Sequence, residues 1–468
     1  MRNKHILVVL KFGSFFGYSE SIIKELLIDN KVTLCIQDKN KIDSSSYYID
    51  QETNSLILEN IDSNKKVILA KESDNLKIIN GIKRKDSWVK AIKIIRETLN
   101  YLSYLIRGDN NTFLENQSKY VSKKILNIIN LVRSKILLKL IFYFLKFIHS
   151  LIPSNKDIKN FINEINPDLV LIVGANWPTR NEKLSSEIDF VKASKEIKKP
   201  SVLLVISWDN LIARGLYHYT PTAMLVWNEI HYEEAVNVQK IPKNNIRIIG
   251  APFMDKWFEE IKISSKKTFF ETLGMNINKP LVTYLGSAKN ISTSEKKIVE
   301  NLYTELLKED IQLLVRPHGA NTNQFKNLNK KINIFPPKGA LPDTLESKEL
   351  MIASLKYSHL SVGINTTAMV DSVVLGTPCI SIIKQEFKYN QADTPHFNKV
   401  QKEGIFIGAQ NDKELISKIT EFINNNNDNE LFKNMDKFRI KFCRPFGLNI
   451  SAGKKALIEV EKLINNQR

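Results

Sequence analysis

The sequence predicts an α/β protein, with two parallel-sheet units facing each other across a cleft and a helical, basic insertion in the first. Three observations carry this. Short, nearly continuous apolar runs recur along the chain, as in HILVVL (5–10), PDLVLIVGAN (167–176), SVLLVIS (201–207), LVTYLG (281–286) and CISIIK (379–384). Such runs fit strands buried on both faces, which is how parallel strands sit. Most are followed by a polar turn and a stretch of helical period. The pattern pauses after IRIIGAP (246–252) and restarts at Pro280, and 468 residues suit two or three domains.

The elements follow in order. HILVVL is a first strand, too short for the apolar region of a signal peptide. The loop 11–18 leads to a helix from about Ser19 to Asp29, and KVTLCI is a second strand ending near Gln37. This β-loop-α-β unit opens a Rossmann-like half. Its loop glycines, Gly13 and Gly17, are spaced GxxxG rather than GxGxxG, so no dinucleotide cofactor is expected. Residues 41–82 are polar and show no assignable period. From Asp86 to Ser150 the pattern is helical. Strands then end at Asn176, at Trp208-Asp209-Asn210 and at Asn228, with a helix over 181–198 and another through about Gln239. Pro252 and DKWFEE suggest a hinge and a linker helix near 253–270. In the second unit, SEKKIVENLYTELLK is a helix between two strands, residues 350–357 and 412–426 are helices, and 449–466 is a last helix able to cross back. The expected domains are 1–250, with the insertion at about 86–150, then 251–445, with 446–468 returning to the first.

Composition narrows the chemistry. The formal charge is +18, from 68 Lys+Arg against 50 Asp+Glu, which favours a polyanionic partner. The abundance of Lys, Asn and Ile is also what an AT-rich genome produces, so the distribution of charge says more than its total. From Asn116 through Lys156 there are eight Lys or Arg and no acidic residue. Lys135, Lys139 and Lys146 interrupt the apolar run too often for a membrane span. Two readings fit 119–149: an amphipathic helix lying on an anionic bilayer, or a core helix with lysines reaching outward. The basic run is mainly aliphatic, with most of its aromatic residues gathered at 142–147 rather than interleaved with the lysines, which disfavours nucleic acid. Cys35, Cys379 and Cys443 lie far apart, with no metal spacing and no disulfide framework, so a cytoplasmic location is expected.

In an open parallel sheet, ligands bind at the carboxyl ends of the strands. In the second unit those ends supply Gly286-Ser287-Ala288-Lys289, Arg316-Pro317-His318 and Gly363 to Thr367. The most informative segment is VGINTTAMVDSVVLGTPCISI (362–382): a strand, a polar turn Asn365-Thr366-Thr367, a helix start, and Asp371 one turn in. A helix N-terminus with hydroxyls and free N–H groups takes an anion, and a carboxylate a turn later reaches ribose hydroxyls. Arg316 supplies a planar fork for phosphate, and His318 a donor or an acid. The plainer readings are helix caps for Thr366 and Thr367, a helix-face carboxylate for Asp371 and a tight turn for RPHG. In the first unit the strand ends give Gly13, Ser14, Gly17, Asn176 and Trp177 as acceptor contacts and Asp209 as a general base, or else as a cap. His396, in the loop 384–404, is a second cleft candidate. His5, His149 and His359 read as structural. No acidic pair of DxD type ends a strand, so no metal is expected.

The segments LLVRPHG and VGINTTAMVDSVVLGTP resemble the nucleotide-binding half of GT-B glycosyltransferases, and more narrowly the group of CDP-glycerol glycerophosphotransferases and bacterial capsule and lipopolysaccharide transferases. SWDNLIARG, VWNEIHYEEAV and IRIIGAPFMDKWF also look like this group; the resemblance spans roughly 165–385. Gly319 stands where many relatives have a second proline, and Asn365-Thr366-Thr367 where many have serines. The resemblance implies that Arg316, His318, Thr366 and Thr367 contact donor phosphates and that Asp371 touches the ribose side. The expected function is transfer of a sugar from a nucleotide-activated donor, itself a substrate and not a cofactor, to a cell-surface polysaccharide or lipid-linked acceptor. Departing phosphate would be stabilised by Arg316, His318, Lys289 and the helix start. A CDP-glycerol-type polyol-phosphate transferase, a nucleotide-sugar 2-epimerase and a non-catalytic nucleotide- or nucleic-acid-binding protein are the alternatives.

Overall fold

The computed structural model describes residues 3–42, 45–60, 65–176, 184–289, 291–292, 294–319, 321–337, 339, 342–425 and 429–465. Its strands, in chain order, are β1 (His5–Phe12), β2 (Lys31–Asp38), β3 (Asn40–Ile42), β4 (Ser45–Asp50), β5 (Ser55–Asn60), β6 (Lys65–Lys71), β7 (Leu76–Asn80), β8 (Leu169–Val173), β9 (Ser201–Leu204), β10 (Ala223–Val226), β11 (Ile246–Ile248), β12 (Leu281–Leu285), β13 (Gln312–Arg316), β14 (Asn333–Ile334), β15 (Leu360–Gly363), β16 (Cys379–Ile382) and β17 (Phe406–Ala409). Two sheets carry the fold. The first runs β11-β10-β9-β8-β1-β2-β7 and the second β14-β13-β12-β15-β16-β17. Every pairing in both is parallel. This is the two-unit Rossmann-like α/β architecture of the GT-B fold.

The apolar runs explain the layering. In β1, Ile6, Val8 and Leu10 enter one core, while Leu7 and Val9 enter the core on the opposite face. Alternate side chains thus go to opposite faces, and both faces are covered by helices. The last helix, Ala452–Asn465, packs on the first-unit helix Phe16–Leu27. The approach is so close that a Cβ on Gly453 would lie 2.5 Å from the Ser21 carbonyl oxygen.

Several local expectations change. Residues 41–82 hold an antiparallel sheet, β3-β4-β5-β6, followed by β7 on the edge of the first sheet. Its polarity hid it, because only one face is covered: Tyr47 and Ile49 are buried in β4 while their neighbours are half-exposed. The helix expected over 181–198 is Asp189–Glu196, and 177–183 lie outside the described residues. The linker at 253–270 is a 3-10 turn, Pro252–Trp257, and then a helix, Lys266–Leu273, because Ser265 caps a new helix rather than continuing the turn. The loop 384–404 contains a 3-10 turn, Gln385–Asn390, and a helix, Pro395–Lys402.

The basic region is four helices: Val89–Arg107, Asn111–Ser118, Lys123–Leu131 and Lys135–Leu151. Lys135–Leu151 packs on Val89–Arg107 with Leu138 and His149 buried. Its other side carries Ile136, Leu140, Phe144, Phe147 and Leu151, each 60–74% exposed. Among the described residues, no single helix is long and apolar enough to cross a membrane. The pair Lys135–Leu151 and Lys156–Ile165 together reach that length, bent by 57° at their junction.

Candidate active site between the two sheets

Parallel strands point all their carboxyl ends to one edge, so adjacent strands deliver adjacent loops. β13, β12 and β15 are neighbours in the second sheet. Their ends bring Arg316 and His318, Gly286, and Thr366 and Thr367 to one cavity of about 150 Å³. Ser207 and Trp208, beyond β9 of the first sheet, and Tyr18, from the first helix, also line it. Gly286 is required by crowding. A Cβ there would meet the backbone N of His318 at 3.1 Å and the carbonyl oxygen of Arg316 at 3.2 Å.

The helix Thr367–Val374 starts on this cavity. Thr366 occupies its N-cap position in extended conformation, yet its side chain makes no capping hydrogen bond. Thr366 and Thr367 are half-exposed residues that line the cavity. An uncapped helix start leaves N–H groups and the positive end of the dipole available to an anion. Gly376, at φ +88°, ends the same helix in the left-handed conformation before β16.

Three buried charges set the electrostatics. Arg316 is 6% exposed and donates through Nη1 to Ser354 Oγ at 2.9 Å and to the Leu350 carbonyl at 3.3 Å. Burial pushes its guanidinium down to about 10, against the pull of Asp371, so it stays charged at neutral pH. Asp371 is also buried and accepts a 2.8 Å bond from Trp257 Nε1. Burial raises its carboxyl to about 6, with Lys256, Trp257 and Arg316 opposing. Lys256 is the residue the sequence reading missed. It is 5% exposed, its ammonium sits 3.4 Å from the Phe253 ring centroid, and burial lowers it to about 8. Its signal was the segment PFMDKWF, a lysine set among aromatic rings where desolvation and cation–π contact act together. His318 is lowered by burial, so it is neutral at pH 7 and acts there as a hydrogen-bonding imidazole.

The structure separates other predicted residues from the cavity. Lys289 is exposed and does not line it. Asn365 is buried and donates to the Asn390 carbonyl at 2.7 Å, which ties the turn to the loop beyond. Ser287 is fully buried, and its backbone N–H donates to Glu295 Oε1 at 3.0 Å. Glu295, also unanticipated, accepts from Tyr284 Oη at 2.6 Å and so anchors the loop after β12; burial raises it to about 7.

Asp209 does not line the cavity either. It pairs with Arg214 at 3.2 Å and accepts from the Ser207 hydroxyl. Burial pushes its carboxyl up, but Arg214, His396 and Ser207 outweigh that and hold it below its ordinary value, which makes it a weak base. Of the proposed acceptor residues, Gly13 packs under Tyr47 and Leu56, where an added Cβ would come within 2.9 Å of each. Ser14 is buried, and Gly17 lies against Asp343. The Asn176 amide donates to the carbonyls of Asn210 and Gly215 at 2.9 and 2.8 Å and accepts from Asn210. Those bonds use its polar atoms to hold the backbone. Trp177 lies outside the described residues. His396 stacks edge-on against Trp208 at 5.0 Å and is neutral, lowered by burial to about 4.

No family model matches the sequence. No curated protein matches it. Solved structures with a similar fold include a UDP-GlcNAc 2-epimerase from Methanocaldococcus jannaschii, at 14% identity and TM-score 0.53, covering 99% of this chain and 100% of that one. A UDP-GlcNAc 2-epimerase from Neisseria meningitidis bound to UDP-GlcNAc follows at 13% and 0.51, covering 98% and 100%. A glycosyltransferase from Rickettsia africae matches at 12% and 0.52, covering 100% of both chains. Glycosyltransferases and sugar epimerases therefore share this fold over their full lengths. The comparisons reach the GT-B fold and stop short of the CDP-glycerol transferase group.

Proposed function

We propose that the chain is a glycosyltransferase that binds a nucleotide-activated sugar between its two sheets and transfers the sugar to a surface polysaccharide or lipid-linked acceptor. One observation carries this: a buried Arg316, charged at neutral pH, and an uncapped helix start at Thr366 converge on one cavity. Together they offer a diphosphate a guanidinium fork and a set of backbone N–H groups. Direct displacement at the sugar releases negative charge onto the leaving phosphate. Arg316, the neutral His318 imidazole and the helix start would take up that charge. Asp209 acts as a positioning residue, fixing Ser207 and Arg214 beside Trp208. A polyol-phosphate donor of CDP-glycerol type uses the same phosphate contacts and belongs in the same screen.

Thermal-shift titration with UDP-, GDP-, CMP- and CDP-linked donors tests the reading. One donor class should stabilise the wild type, and Arg316→Ala should lose at least tenfold in affinity. No stabilisation by any donor would remove it. A second reading, a nucleotide-sugar 2-epimerase, is favoured by the full-length fold similarity to two such enzymes. Proton NMR of the protein with UDP-GlcNAc and no acceptor separates the two, because only an epimerase then yields a 2-epimer.

The same reading places the enzyme on the cytoplasmic face of an anionic membrane, through the exposed apolar side of Lys135–Leu151 and the lysines around it. Each Lys or Arg near such a surface contributes about 1 kcal/mol. Flotation with liposomes containing anionic lipid should carry the protein, and Phe144→Ser with Phe147→Ser should release it.

A further inference from the structure

A groove of about 530 Å³ lies between the helices Val89–Arg107 and Lys135–Leu151, closed at one side by residues 216–218 and 237–240. Leu99, Ile106, Phe142 and Val238 form its apolar walls. Lys139, Lys146 and Lys240 stand around it, and among the described residues no Asp or Glu lines it. Among the described residues, none of these three ammonium groups has an acidic partner. Lys146 is held below its ordinary value by partial desolvation and then by the neighbouring Lys240 ammonium, although much of its side chain remains exposed. His149 and His218, on the inner side, are driven low by burial and by the surrounding cations, so they add no charge at neutral pH. The groove thus combines an apolar interior with an uncompensated positive rim. It also adjoins the exposed face Ile136–Leu140–Phe144–Phe147 of the same helix.

We infer that this groove binds one anionic lipid, its alkyl or isoprenyl chain lying along Leu99, Ile106 and Phe142 and its phosphate held by Lys139, Lys146 and Lys240. A chain alone would leave three cations without a counter-charge, and a phosphate alone would leave the apolar walls wet. An amphiphile satisfies both. The inference deepens the proposed use of a lipid-linked acceptor, yet the two stand apart experimentally. Flotation reads the outer face of the helix, donor titration reads the Arg316 cavity, and a soluble amphiphile reads the groove.

The test is isothermal titration of the full chain with n-decyl phosphate below its micelle concentration, with n-decanol and inorganic phosphate as separate arms. Decyl phosphate should bind at one site, at least tenfold tighter than decanol, and inorganic phosphate should give no saturable heat. Lys139→Ser with Lys146→Ser and Lys240→Ser changes exposed or rim positions. It should bring decyl phosphate to within threefold of decanol without changing donor binding. Ser103→Phe should block both amphiphiles by filling the groove while keeping every charge, with circular dichroism confirming the fold. Unchanged decyl phosphate affinity in the triple variant, non-saturating heats, or equal binding of inorganic phosphate would each overturn the inference.

Discussion

Asp371, Lys256 and Arg316 make the clearest case for reading function from single side chains. Each of the three is buried and shifted toward its neutral form by desolvation; Asp371 pulls both cations back toward charge, with Asp343 pulling Lys256 more strongly, and Lys256, Trp257 and Arg316 pull Asp371 back. This sets a pH dependence for an anionic ligand. Asp371, raised to about 6, is neutral below that value and negative above it. Lys256, lowered to about 8, is positive below that value and neutral above it. Rising pH therefore adds a negative charge near pH 6 and removes a positive one near pH 8, and both changes oppose a diphosphate. Affinity for a nucleotide sugar, whose diphosphate does not titrate in this range, should fall in two steps between pH 5 and 9. Asp371→Asn should remove the lower step and Lys256→Met the upper one, as read by calorimetry; a flat wild-type profile would break the assignment. Arg316 and Asp371 were legible in the sequence because both sit at fixed offsets from strands. Lys256 was not, because its burial comes from rings of its own linker closing against the second unit, which no periodicity encodes.

Among the elements, the helix Thr367–Val374 shows why an anion site is costly to keep. Thr at an N-cap ordinarily accepts a hydrogen bond from the first turn, and such a cap contributes about 1 kcal/mol. Here Thr366 makes none. Thr366→Asp offers a stronger cap and a negative charge at the dipole's positive end. It should raise stability by about 1 kcal/mol in urea unfolding while reducing nucleotide affinity more than tenfold. If affinity survives, phosphate does not sit on this helix start. The strands and turns of this region were readable because buried parallel strands announce themselves as apolar runs. The antiparallel sheet β3-β4-β5-β6 was not, since one covered face leaves only weak alternation in a polar stretch. Lys135–Leu151 was readable as amphipathic, but its partner helix and the groove between them exist only in the packed structure.

The two sheets are held in facing positions by a small set of contacts between distant segments. Glu20 pairs with Lys348 at 3.0 Å, Tyr47 donates to Asp343 at 2.6 Å, and Glu234 pairs with Lys399 at 2.5 Å. The deepest tie is Asp255. Its carboxylate accepts from Arg444 Nη2 at 3.0 Å, from the backbone N–H of Ala452 at 3.1 Å and from that of Gly453 at 3.0 Å, all buried. It thereby fixes the chain leaving the first sheet to the start of the last helix, which packs back on Phe16–Leu27. Asp255→Ala strands a buried guanidinium and two N–H groups, and breaking a buried pair in this way costs about 3–5 kcal/mol. The loss should fall on the joint rather than on either sheet. Urea unfolding followed by far-ultraviolet circular dichroism and by tryptophan fluorescence should be coincident in the wild type and separate in Asp255→Ala, as one unit loosens before the other. Nucleotide affinity should fall as well, since Ser207 and Trp208 reach the cavity from the first sheet and Arg316 from the second. A variant that unfolds in one coincident transition, weakened by less than 1 kcal/mol, would show that the facing arrangement is held elsewhere.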